Sequence, residues 1–200
     1  MTLTTFLPFY ILMFVSAVYC KNEDDFVAEF GYRDYVSYLP GSDDSPLVLT
    51  VAHGGGILPD DITVRGRGCW NITHKNCTYI HQCDGIGKQV RTRCLVSGVT
   101  EIYTIELAVD LRRWIGLQMG IYPHLIVNHL QRSWFDPDLP EDQATFMDEE
   151  AIRAYNDYHG YIDKVTEPEI RHEIFLITEY VYLLLFKDLC EICILSTSSG

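Results

Sequence analysis

The chain has 200 residues and 48% hydrophobic content, enough for one domain with a sizeable core and too apolar for a disordered segment. Twenty-eight acidic residues against 15 basic ones give a formal net charge of -13, which argues against nucleic acid or anionic membrane surfaces as partners. A small substrate is not excluded by this balance.

Residues 1–20 read as a signal peptide. Phe6–Val15 is an apolar stretch too short to span a bilayer, and Ser16-Ala-Val-Tyr-Cys20 offers small residues for cleavage before the polar Lys21–Asp25. The expected location is therefore secreted or extracellular, with no transmembrane span in the mature chain. Residues 21–45 are polar, acidic and aromatic and are expected to form an irregular lead-in, with Phe30, Tyr32, Tyr35 and Tyr38 packing on the domain surface.

Pro46–Ala52 is a short apolar run that predicts a buried strand, and it delivers His53 straight into Gly54, Gly55 and Gly56. A rigid strand end followed by glycines is one way to present a metal ligand or a catalytic imidazole. A strand ending in a glycine turn with an incidental histidine reads equally well from these residues alone.

Residues 65–94 read as a disulfide-rich surface insertion. Cys69, Cys77, Cys83 and Cys94 cluster with two N-glycosylation acceptor sequons, at Asn71 and Asn76. His74 and His81 are interleaved, but the spacing does not follow the close cysteine pairs of zinc ribbons and fingers, and an oxidising compartment favours disulfides. Three connectivities are open; the nested one, Cys69 with Cys94 and Cys77 with Cys83, is preferred.

Leu95–Val99 predicts a second strand. In Thr104–Met119 the residues Leu107, Ala108, Leu111, Ile115 and Met119 recur at helical spacing, with Gly120 as a stop and Pro123 beyond it. His124–Asn128 predicts another buried strand, Asp136–Pro140 a loop, and Asp148 the cap of a helix to about Val165, with Ala151, Ile152, Tyr155, Tyr158, His159 and Ile162 on one face. Alternating strands and helices indicate an α/β sheet with some parallel pairing.

Between about Leu47 and Ile162 these segments resemble the N-formylglutamate amidohydrolase family. Four stretches carry the resemblance: Thr50–Arg65, Glu101-Ile-Tyr-Thr104, Asn128-His-Leu-Gln-Arg132-Ser-Trp-Phe-Asp136 and Ala154–Ile162. The family comprises zinc-dependent amide hydrolases, with a fold similar to that of zinc carboxypeptidases and phosphorylase/hydrolase-like proteins. The resemblance implies an incomplete three-layer α/β domain over 46–165, with a mixed sheet and flanking helices, a zinc cofactor and a small amide substrate.

It also implies roles. His53 would be one zinc ligand and Glu101, standing where the family has Asp, a second, with Glu106 as the competing acid. Arg132 would hold a substrate carboxylate, although it could equally pair with Asp136, while His129 replaces the family's first arginine. Arg65 would lie beside the metal and help bind an anionic group or an oxyanion. In the implied mechanism the zinc activates a water for attack on an amide carbonyl.

The resemblance stops after Lys164. Residues 166–200 form a tail outside the family pattern, and the third zinc histidine is missing, with His172 only a remote substitute. This implies a truncated or alternatively spliced form that binds zinc weakly and hydrolyses little. The alternative is a secreted, glycosylated binding or structural protein without catalysis.

Overall fold

The computed structural model describes residues 26–43, 45–84, 94–166 and the backbone of 175–177. The expected signal peptide 1–20 and, in the tail, His172 lie outside the described residues. No helix among the described residues is long and apolar enough to cross a membrane.

A five-stranded mixed sheet forms the frame. β3 (Leu47–Val51) and β6 (His124–Asn128) lie side by side in parallel, and the backbone of β7 (Phe175–Ile177) adds to the far side of β3, also in parallel. β2 (Val36–Leu39) pairs antiparallel with β6, and β1 (Glu29–Phe30) antiparallel with β2. Every residue of His124–Asn128 is buried, as expected of a central strand covered on both faces.

The pleat divides this apolar content between two cores. Leu49, Val51, Leu125 and Val127 pack with Ala108, Leu111 and Ile115 of α1 (Thr104–Met119). Val36, Tyr38, Val48 and Ile126 face the other way, onto Ala151, Ala154, Tyr158 and Val165 of α3 (Glu149–Thr166). The domain is thus mixed α/β, with helices on both faces of a mixed sheet. Asp148 caps α3 as expected, its Oδ1 accepting the amides of Glu150 at 3.1 Å and Ala151 at 3.3 Å.

Three expectations need correction. The lead-in 21–45 is not irregular throughout, because Val36-Ser-Tyr-Leu39 alternates buried and half-buried residues and becomes a sheet strand. Leu95–Val99 is not a strand: its ladder contact is a single bridge between Leu95 and Arg67. The nested disulfides are replaced by crossed ones, Cys69–Cys83 and Cys77–Cys94.

The crossing is built on a short hairpin, β4 (Cys69–Asn71) with β5 (Asn76–Thr78). Cys69 stands opposite Thr78, while Cys77 stands opposite Trp70. Neighbouring positions of a strand project to opposite faces, so the two sulfurs leave the hairpin on different sides, each toward its own partner. A short helix unforeseen in the sequence, α2 (Glu141–Thr145), follows the Asp136–Pro140 segment.

Candidate metal centre

The parallel strands β3 and β6 end together, and the polar residues gather just beyond them. Buried Asn128, the last residue of β6, joins the two strand ends. Its Nδ2 donates to the carbonyls of Ala52 at 2.7 Å and Leu130 at 3.1 Å, and its Oδ1 accepts the Leu130 amide at 3.0 Å. Past β3 the chain passes so close to its neighbours that a side chain on Gly55 would meet the backbone of His129 and Leu130, and one on Gly54 the side chain of Thr104. The glycines therefore let His53 sit between the strand ends and the start of α1.

His53 is 2% exposed, and each ring nitrogen faces an acid. Nε2 lies 2.8 Å from Asp136 Oδ1 and 3.4 Å from Asp138 Oδ2; Nδ1 lies 3.5 Å from Glu101 Oε1. Glu101 is held by its backbone, its amide donating to the His53 carbonyl at 3.1 Å and its carbonyl accepting the Thr104 hydroxyl at 3.1 Å. Glu106, the competing acid, lies exposed on the first turn of α1, so Glu101 is the acid that reaches the imidazole.

Asp136 is the hub of the cluster. It is fully buried and accepts from His53 and, at 2.9 Å, from Arg132 Nε, while the Arg65 guanidinium stands 3.7 Å away. Burial acts to raise its pKa, but the hydrogen bonds from His53 and Arg132 and the guanidinium charge outweigh that and hold its carboxyl below the usual carboxylate range. Arg132 also reaches Glu101 Oε1 with a terminal nitrogen at 3.4 Å, and its side chain is 17% exposed.

Arg65 lies beside the cluster as expected, yet its guanidinium is turned to backbone carbonyls of Gln143, Ser97 and Arg132. His129, which replaces an arginine in the resembling pattern, instead meets Ser37 Oγ of β2 through Nε2 at 2.7 Å. Tyr155, Tyr158 and His159 belong to the packing of α3; His159 meets the Pro137 carbonyl at 3.1 Å.

His53, Asp136 and Asp138 have ligand atoms close enough to hold a metal ion. Asp136 and Asp138 were not singled out as site residues by the sequence, in which Asp-Pro-Asp reads as loop punctuation. The available signal was the i,i+4 spacing of Arg132 and Asp136, which places a cation and a carboxylate together directly after the Asn128 strand. Comparison with protein-family models, curated proteins and solved structures finds no match to this chain.

Proposed function

We propose that this chain is a secreted protein of the zinc-dependent amide hydrolase type, with a metal position between His53 Nδ1 and Glu101. The observation that carries the reading is the difference between the two sides of the imidazole. Nε2 and Asp136 lie 2.8 Å apart, a hydrogen-bond distance, so Nε2 donates and the Nδ1 lone pair faces Glu101. The 3.5 Å between Nδ1 and Oε1 matches the separation of about 3.4 Å expected for two ligands of one tetrahedral ion at zinc bond lengths. A buried carboxylate fixing the far nitrogen of a ligating histidine is a common arrangement around zinc.

Zinc held there would supply Lewis-acid polarisation of a carbonyl and lower the pKa of a water. The protein residues then divide the remaining work. Asp136 fixes the tautomer and orientation of His53. Arg132, anchored by Nε on Asp136 and partly exposed, offers a guanidinium to the carboxylate of a small amide substrate. With His53 and Glu101 as the protein ligands, the ion is held weakly, and turnover of N-formyl amino acids is low.

Calorimetric titration of zinc into the purified chain tests this. Binding weaker than about micromolar is expected, diminished by His53→Ala and Glu101→Gln and unchanged by Asp138→Asn. The reverse order, with Asp138 essential and Glu101 dispensable, would move the ion to the Nε2 side. Tighter binding together with turnover abolished by His53→Ala would mean that a third ligand exists beyond these two.

A second reading, a secreted glycosylated binding protein without catalysis, is favoured by the way Arg132 closes on Asp136 and Glu101 within the site. Both readings place glycan on the β4–β5 hairpin. Asn71 and Asn76 face one another across it, Asn76 exposed and Asn71 accepting the amides of Thr73 and His74 at 3.0 Å. A mass shift on enzymatic deglycosylation of the secreted chain, lost in the Asn71→Gln/Asn76→Gln variant, is the expected result.

A further inference from the structure

The residues of the metal centre, His53 included, lie in segments outside the helices and strands. Glu101 ends an arm that starts at Cys94, and Arg132, Asp136 and Asp138 lie on the loop between β6 and α2. Such segments do not hold ligands to a fraction of an ångström by themselves, and metal coordination demands that precision. One side chain, that of Arg65, reaches both the Glu101 arm and the loop.

Arg65 has a side chain that is 0% exposed. One terminal nitrogen donates to the Gln143 carbonyl of α2 at 2.9 Å; the other reaches the Ser97 carbonyl of the Glu101 arm at 3.4 Å and the Arg132 carbonyl of the loop. Its own amide donates to the Ser133 carbonyl at 2.8 Å, and Asp136 Oδ2 lies 3.7 Å from the guanidinium. Taking a guanidinium out of water is expensive, and burial draws its pKa down to about 10 despite the opposing pull of Asp136. An apolar residue would fill the space at lower cost but would make none of these three carbonyl bonds.

We propose that Arg65 is a positioning residue that locks the Glu101 arm to the Arg132–Asp136 loop, adding to the direct bond from the Glu101 amide to the His53 carbonyl, and so raises the affinity of the centre for a divalent metal. The inference rests on the reading of His53 and Glu101 as the metal ligands. It reassigns Arg65 from substrate contact to ligand placement, because a guanidinium spent on buried carbonyls does not meet a substrate. The planar fork matters here: a lysine ammonium on a single stem reaches one or two of these carbonyls, not all three.

The test compares zinc affinity, unfolding midpoint and near-ultraviolet circular dichroism for the full chain and its Arg65→Lys and Arg65→Ala variants. Arg65→Lys is expected to keep the native dichroism and lose at least tenfold in zinc affinity. Arg65→Ala is expected to lose more and to regain affinity on addition of millimolar guanidinium, which refits the vacated space. A folded Arg65→Lys variant with wild-type zinc affinity overturns the proposal, even if its unfolding midpoint falls, since that is what a purely structural role would give. Should Arg65→Ala fail to fold, Arg65→Lys alone decides. Absence of zinc binding by the unsubstituted chain overturns the ligand reading itself, and this proposal with it.

Discussion

Asp136 shows how one residue sets the character of the centre. A buried carboxylate with a single partner would be a liability, but this one is shared between an imidazole and two guanidinium groups, and its Oδ1 also accepts the Asp138 amide at 3.3 Å. His129 illustrates the opposite condition. Burial lowers its pKa against the weaker pull of Asp34, so the folded chain favours the neutral ring. The unfolded chain, titrating near 6.5, then binds more protons in the interval between the two values. Stability is therefore fully present above about pH 6.5 and declines as the pH falls from there toward the folded-state pKa. The denaturant midpoint is expected to drop over this interval, and to drop less in His129→Gln, which keeps a hydrogen-bonding group for Ser37; equal slopes in the two proteins would contradict this.

At the scale of elements, the glycine turn after β3 separates packing from flexibility. Gly55 is pressed against the backbone of His129 and Leu130, whereas a side chain on Gly56 would meet nothing within 4 Å. Gly55→Ala should cost about 2 kcal/mol and displace His53, while Gly56→Ala should be near neutral; thermal unfolding of the two variants checks the contrast. The same scale explains what could be read in advance. β3, β6, α1 and α3 were legible because long apolar periodicity and recognisable stops mark them. β1 and β2 were not: they are short and carry as much polar as apolar surface, and β2 takes its strand character from β6, far along the chain, while β1 only adds to β2. His53 and Glu101 stood out through their setting. Asp136 joins them only because the fold closes 83 positions of separation, and nothing local in Asp-Pro-Asp announces that.

For the whole molecule, the crossed disulfides make the insertion a self-contained unit. Tyr79 and His81 rest against Phe146 at ring separations of 5.7 and 5.3 Å, beside the loop that follows α2. Peptide mapping without reduction should recover Cys69 joined to Cys83 and Cys77 to Cys94. Each loop should contribute about 3 kcal/mol by chain-entropy reasoning, lost on reduction.

The position of β6 in the sheet has a consequence for how the chain is made. β2 and β3 are synthesised early, but each has β6 as its neighbour in the sheet, so the first sheet segments emerge from the ribosome long before their shared partner exists. All four paired cysteines appear in that interval. Oxidation of the insertion can thus be finished before the sheet begins to close, and a cross-linked insertion shortens the effective span that closure must bridge. A released chain ending before residue 124, kept in oxidising buffer, is expected to carry both cross-links while β2 and β3 still lack β6.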